Sequence, residues 1–210
     1  MNLGVRIGLA LLAVAGVVGI GAVVGGKIMS GEMAYAAASL EIGQPLPDFA
    51  LKDTTGKEHK LADYAGKIVV LNFVSQECPF SRGADPAINA LATKYADKGV
   101  VFLGVDSHKD TTPEAIAKHI ESAKVPYPIL KDADNAYADA VGAKVTPELF
   151  IAGKDGKLAY HGAPDNRTSP DGEASEHYAD AALAALVEGK AVETAEVKAW
   201  GCSIKRGVQR

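Results

Sequence analysis

The fold of this chain is decided by residues 68–82, which read IVVLNFVSQECPFSR. Its first part, Ile68–Val74, is an apolar run rich in β-branched residues, and such a run predicts a buried central strand. Pro79 then opens a helical pattern, because proline is favoured at the first position of a helix. Cys78 is therefore predicted to cap that helix where the strand ends.

A cysteine at this position is predicted to be reactive. Its sulfur faces unpaired backbone N–H groups and the positive end of the helix dipole. Both stabilise the thiolate, which is the nucleophilic form. Arg82, one turn further on, supports this effect, and the adjacent Glu77 opposes it. The alternative is an inert buried thiol, since free cysteines are often core residues.

Outward from this stretch, strand-like and helix-like segments alternate, which favours an α/β fold. Strands are predicted at Val100–Val105 and Tyr127–Leu130, and a hairpin is predicted around residues 153–156. Helices are predicted from Pro79 to a terminating Gly99, from a Thr112 cap, over Ala133–Val141, and over Ser175–Val187.

Composition narrows the function classes. The chain has 210 residues, a net charge of −4 and 48% apolar residues, which is typical of a globular protein. No basic field is present, so no nucleic-acid partner is predicted. Two cysteines and five scattered histidines fit neither a disulfide scaffold nor a structural zinc site. We predict no metal and no cofactor.

The N-terminal segment is predicted to direct export. Ile7–Val24 contains no charged side chain and resembles either the apolar region of a secretory signal or a single membrane anchor. Ala34–Ala36 offers a small-residue cleavage site. The predicted division is residues 1–36 as signal peptide or anchor, 37–190 as the folded domain, and 191–210 as a tail. The domain is expected in the periplasm or cell envelope, free or tethered through residues 7–24.

Six stretches together carry a resemblance to a known family: Ile42–Leu51, Asp53–Lys57, Leu61–Lys67, Val69–Phe73, Val145–Pro147 and Gly201–Lys205. They resemble thioredoxin-fold redoxins of the peroxiredoxin (AhpC/TSA) and TlpA-like type, in a subgroup with one active-site cysteine and a GCSIK tail. The resemblance implies a thioredoxin-like fold, with a central mixed sheet of about four or five strands and flanking helices. It also implies a cis Thr146–Pro147 bond beside Cys78, with the Thr146 backbone open to an incoming substrate strand.

The chain departs from two sequence motifs of the family, the dithiol motif and the peroxiredoxin motif. A dithiol motif would need a second cysteine where Ser81 stands. A peroxiredoxin motif would have threonine where Ser75 stands and proline where Leu71 stands. The family's peroxide-activating arginine has no clear counterpart, although Arg82 is a candidate.

Arg167 is a second candidate for that arginine, but Asp165–Arg167 is expected to form a solvated loop. The residues predicted to contact substrate are Thr146, Pro147, Ser75, Ser81 and Arg82.

Cys202 is the one cysteine in the sequence that can partner Cys78. The resemblance includes its tail and implies a resolving thiol that forms an intramolecular disulfide. The alternative is an exposed thiol without a role. Trp200 is expected to dock the tail by burying its ring.

These features predict an exported thiol-dependent oxidoreductase with Cys78 as nucleophile. Its substrate is either a peroxide, giving a sulfenic acid, or a protein disulfide or thiol, giving a mixed disulfide. Its reducing partner is not identified by the sequence. The alternative function is a thioredoxin-fold binding module without turnover.

Overall fold

The computed structural model describes residues 40–207. The predictions made for residues 1–36 therefore lie outside the described part of the chain. Among the helices of residues 40–207, none has both the length and the apolar character required to cross a membrane.

The strands of the described chain are β1 (Ala50–Asp53), β2 (Glu58–Lys60), β3 (Ile68–Phe73), β4 (Val100–Asp106), β5 (Ile129–Lys131), β6 (Val145–Thr146), β7 (Glu148–Ala152), β8 (Leu158–Gly162) and β9 (Cys202–Ser203). Seven of them form a mixed sheet at the centre of the domain, in the order β2-β1-β5-β4-β3-β7-β8. Strand β3 lies parallel to β4 and antiparallel to β7. A separate two-stranded sheet pairs β6 with β9.

The predicted thioredoxin-like α/β fold is confirmed, but the expected strand count of four or five is wrong. The difference comes from the hairpin of β1 and β2, whose first strand joins the sheet by pairing antiparallel with β5. These strands are short, and much of β1 and β2 is exposed to solvent. Their sequence therefore lacks the continuous apolar run by which buried strands are recognised.

Four α-helices flank the sheet: α1 (Pro79–Tyr95), α2 (Pro113–Ala123), α3 (Ala136–Val141) and α4 (Tyr178–Val187). The Thr112 hydroxyl accepts a hydrogen bond from the Ala115 N–H at 3.3 Å, which confirms the predicted cap of α2. Gly99 has a φ of 75° and directly precedes β4, after a 3-10 turn over Ala96–Lys98 has extended α1.

Two helices begin three residues later than predicted. Before α3, Asn135 adopts a left-handed φ of 62°, and the Asp132 carboxylate accepts hydrogen bonds from the N–H groups of Tyr137 and Ala138. Before α4, the N–H groups of Ser175 and Glu176 donate to the Asn166 side-chain carbonyl oxygen. The Asp132 carboxylate therefore binds the first turn of α3, and the Asn166 side chain binds the backbone just before α4. In both places a side-chain acceptor marks where the helix begins.

Each face of the sheet has its own hydrophobic core. Alternate residues of β3 point to opposite faces, as the period of a strand requires. Val70 and Ile151 belong to the core that contains residues of α1, α2 and α4. Leu71 and Phe150 belong to the other core, which contains residues of α3 and also Ile204 from the tail. The sheet thus fixes where β3 ends, and that point is where the site forms.

Replacing Ile151 by alanine is expected to lower the free energy of unfolding by about 2–5 kcal/mol, because the side chain is fully buried in β7 and truncation leaves a cavity. Urea unfolding of the oxidised protein measures this loss. The matched control is Ile42→Ala, the same change at a side chain that is 40% exposed, with an expected effect within about 0.5 kcal/mol. Equal losses in the two variants would contradict the assignment of β7 to the core.

Candidate functional site

Cys78 lies in the turn between β3 and α1, at the capping position that the sequence indicates. The Cys78 N–H donates to the Ser75 carbonyl at 3.1 Å, which closes the turn. The Ser81 N–H donates to the Cys78 sulfur at 3.4 Å. Because Cys78 is only 2% exposed, its sulfur is surrounded by protein and faces the first N–H groups of the helix.

A disulfide joins Cys78 to Cys202 across 124 positions of sequence, with the two Cα atoms 5.8 Å apart. Cys202 lies in β9, which pairs antiparallel with β6 so that Cys202 is opposite Thr146. The Thr146 carbonyl oxygen is 3.0 Å from the Cys78 sulfur, and the Thr146–Pro147 peptide bond is cis. The structure therefore brings together four of the predicted residues: Cys78, Thr146, Pro147 and Cys202.

The tail is held on both sides of Cys202 by noncovalent contacts. On the preceding side, the Trp200 indole N–H donates to the Asp165 carbonyl at 2.8 Å, and its ring centroid is 5.6 Å from that of Phe80. This confirms that Trp200 docks the tail. On the following side, the Lys205 ammonium lies 2.7 Å from the Glu77 carboxylate.

The Lys205 contact also changes the electrostatics beside Cys78. Its hydrogen bond and its positive charge lower the pKa of Glu77 below the ordinary value. Glu77 was expected to oppose a thiolate at Cys78 through its negative charge. With the tail docked, that charge faces Lys205, so part of the opposition is offset.

Sequence reasoning missed Glu148, a buried carboxylate directly after Pro147. One of its oxygens accepts hydrogen bonds from the N–H groups of Lys144 and Val145, at 2.6 and 3.1 Å. The other is 2.8 Å from Nε2 of His161. Glu148 therefore holds the segment that carries Thr146. The signal for Glu148 in the sequence was a charged residue at the start of an otherwise apolar strand.

The three other predicted contact residues have different surroundings. The Ser75 hydroxyl oxygen accepts from the Glu77 N–H, and the Ser81 hydroxyl oxygen accepts from the Ser75 N–H, so both hydroxyls hold the β3–α1 turn. Arg82 is exposed, and no ion pair of its guanidinium is found within residues 40–207. Because the side chain is exposed, water and salt screen its charge.

The expectation of a solvated loop at Asp165–Arg167 is wrong. Asp165 is 2% and Arg167 8% exposed. The guanidinium forms a forked pair with the Asp165 carboxylate, with a shortest distance of 2.6 Å, and also donates to the Gly83 carbonyl in α1. It lies 5.5 Å from the Trp200 ring centroid. The two charges compensate each other, which permits their burial.

Within the described residues, no group of three or more histidine, cysteine, aspartate or glutamate side chains is arranged to hold a metal ion.

Known proteins resemble both the sequence and this structure. A profile of the AhpC/TSA family matches residues 42–161. The thiol-disulfide oxidoreductase ResA of Bacillus thuringiensis is 32% identical over 119 residues, which are 57% of this chain and 68% of that protein. A hypothetical protein of Sinorhizobium meliloti has a TM-score of 0.77 at 29% identity, over 82% of this chain and 98% of the other. A putative thiol:disulfide interchange protein DsbE of Chlorobium tepidum has a TM-score of 0.54 at 28% identity, over 59% and 85% of the two chains.

Replacing Trp200 by alanine is expected to raise the equilibrium constant for reduction of the Cys78–Cys202 disulfide by dithiothreitol about tenfold. The reason is that the docked tail loses about 1.4 kcal/mol of aromatic and hydrogen-bond contacts. Thiol counting across a series of dithiothreitol redox buffers measures the shift. The control Trp200→Phe keeps a ring against Phe80 and loses only the indole N–H, so its shift is smaller. An identical reduction equilibrium in all three proteins would show that Trp200 does not hold the tail.

Proposed function

The chain belongs to the AhpC/TSA family and is a thiol-based oxidoreductase, and from this premise we propose that it performs thiol–disulfide exchange through Cys78 and Cys202. The Cys78–Cys202 disulfide carries this proposal, because it joins the helix-capping sulfur to a strand paired with Thr146. That is the arrangement of a mixed disulfide between a nucleophile and an extended partner segment. The similarity to ResA, named as a thiol-disulfide oxidoreductase, supports the same substrate class.

In the reduced protein, Cys78 is the attacking thiolate. The Ser81 N–H and the start of α1 stabilise its negative charge. Attack on one sulfur of a partner disulfide forms a Cys78–partner bond and breaks the partner's S–S bond. The other partner sulfur leaves as a thiolate and takes a proton from solvent.

Cys202 completes the exchange. Its thiolate attacks the Cys78 sulfur, forms the Cys78–Cys202 bond and releases the second partner sulfur as a thiol. The partner has then gained two electrons, and this chain has lost two. For the return reaction an external thiol is needed. It meets Cys202 more readily than Cys78, because Cys202 is partly exposed and Cys78 is buried, and Cys78 then leaves as the stabilised thiolate.

The surroundings of Cys78 support a disulfide rather than a peroxide as substrate. Leu71 is fully buried in β3 at the position of the family's proline. The Ser75 hydroxyl oxygen is bonded to the turn, and the Arg167 guanidinium is engaged with the Asp165 carboxylate. These groups are thus committed to holding the structure, and none of these contacts directs a charge at a peroxide bound to Cys78.

Export belongs to the same proposal. The uncharged run Ile7–Val24 supports transfer of the domain out of the cytoplasm. A disulfide between Cys78 and Cys202 persists more readily in an oxidising compartment than among cytosolic reductants. The proposed partners are therefore disulfides or thiols of other proteins in the cell envelope, together with an external reducing thiol.

The test is reduction of insulin disulfides by dithiothreitol, followed by turbidity, with the full chain and two serine variants. Cys78→Ser is expected to fall to the uncatalysed background, because the nucleophile is lost. Cys202→Ser is expected to be at least about tenfold slower and to accumulate a mixed disulfide on Cys78, detected by intact mass.

The two variants are matched controls, since each removes one thiol by the same change. Full activity of Cys78→Ser would contradict the assignment of Cys78 as the nucleophile. A rate of the unmodified chain no faster than the uncatalysed background would leave the binding module without turnover as the better account. A parallel sample receives one equivalent of hydrogen peroxide. Rapid loss of both thiols there, without any insulin reduction, would assign a peroxide as substrate instead.

A further inference from the structure

The tail segment, residues 199–206, lies in the place that an extended partner strand would take beside Thr146. Cys202 and Ser203 pair antiparallel with Thr146 and Val145. We propose that the surface under this segment is a specific binding site for extended partner segments with glycine immediately before the reactive cysteine. The tail occupies this site within the same chain and competes with the partner. This inference rests on the proposed thiol–disulfide exchange and adds the sequence that the site selects.

Glycine is required at position 201 for two reasons. Its φ is +133°, a conformation that residues with a side chain rarely adopt. A Cβ atom there would overlap the Thr146 carbonyl, at 2.7 Å from its carbon, and would lie 3.3 Å from Cδ of Pro147. Thr146 is fully buried and Glu148 fixes the preceding backbone, so the carbonyl is not free to move aside. A partner strand in the same register meets the same obstacle.

The site also selects the residues that follow the cysteine. Two positions after Cys202, Ile204 is 5% exposed and belongs to the same core as Val141 and Ala143. Its N–H donates to the Lys144 carbonyl at 2.9 Å, so the backbone pairing continues past β9. An aliphatic side chain at this position buries apolar surface. Ser203 is exposed, so the site does not select the side chain at that position.

Charge complementarity extends the site further. Lys205 pairs with Glu77, and Arg206 pairs with Asp139, each at 2.7 Å. The Arg206 guanidinium also donates to the Ala143 carbonyl. The rim of the site therefore presents two carboxylates, and it favours a basic pair after the aliphatic residue. The preferred partner is a cysteine segment of the form glycine, cysteine, any residue, aliphatic, basic, basic.

Competition by the tail follows from its tether. A linked segment is present at a high effective concentration, so a free segment of equal affinity displaces it only in part. Weakening the docked tail without touching Cys78 should therefore open the site to partners. Gly201→Ala does this, because the added Cβ overlaps the Thr146 carbonyl when the tail is docked.

The experiment uses the reduced full chain with Cys202→Ser, alone or combined with Gly201→Ala. The probes are two synthetic peptides whose cysteine carries thionitrobenzoate, so that exchange at Cys78 releases a coloured thiol. One peptide has the sequence of residues 199–206, and the other has alanine in place of its glycine. Cysteine carrying the same group reports the general reactivity of Cys78.

On the Gly201→Ala background, the glycine peptide is expected to react at least about tenfold faster than the alanine peptide, since the added Cβ overlaps the Thr146 backbone. The glycine peptide is also expected to react about tenfold more slowly with Cys202→Ser alone, where the tail remains docked. The matched control is Gly207→Ala combined with Cys202→Ser. No atom lies within 4 Å of a Cβ at Gly207, so this control should react like Cys202→Ser.

The outcomes separate this inference from the function on which it rests. If the small cysteine reagent fails to react with Cys78 in every variant, the proposed exchange itself is wrong. If that reagent reacts but the two peptides react equally fast, exchange stands and the selectivity for glycine is wrong. The peptide comparison can also be made with Cys202→Ser at high peptide concentration, so a poorly folded Gly201→Ala variant does not prevent the test.

Discussion

The backbone pairing between the tail and Thr146 is the interaction on which the rest of the site depends. The domain itself fixes Cys78 at the start of α1 and fixes Thr146 through Glu148. Cys202 has no comparable support, because it lies in a two-residue strand near the end of the described chain. Cys78 and Cys202 are 124 positions apart in the chain, so bringing them together costs loop-closure entropy. The pairing of Cys202 with β6 and the contacts of Trp200 hold Cys202 beside Cys78 and offset that cost.

The parts of the fold that were predicted correctly depend on local signals. The run of β3 is apolar at every position except Asn72, because that strand is buried on both faces. Pro79 and Thr112 mark helix starts through backbone restriction and side-chain capping, and neither effect requires a distant partner. Because Cys78 stands between such a strand and such a helix, its capping position was predictable from neighbouring residues. The cis bond before Pro147 and the tail's importance came from family resemblance.

The features that sequence reasoning missed depend on residues far apart in the chain. Asp165 and Arg167 form a polar, surface-like segment in sequence, yet their burial depends on mutual charge compensation beside Gly83 and Trp200. Gly201 is restricted only when the Thr146 backbone lies alongside it. No local pattern encodes that contact. Hence the position of Cys78 at the start of α1 was recognisable in the sequence, whereas the restriction at Gly201 required the structure.

The long span of the disulfide has a mechanical consequence. Every α-helix described here, together with strands β4 to β8, lies between Cys78 and Cys202 in the chain. In the oxidised protein these elements form a closed covalent ring. Tension applied at the two ends of the described chain passes along β1 to β3 and then crosses from the β3–α1 turn into the tail through the sulfur bridge, so its covalent path bypasses the ring. Reduction opens the ring, and the covalent path then runs through every element between Cys78 and Cys202. The redox state therefore decides whether the α-helices and strands β4 to β8 lie on the covalent path of a pulling force.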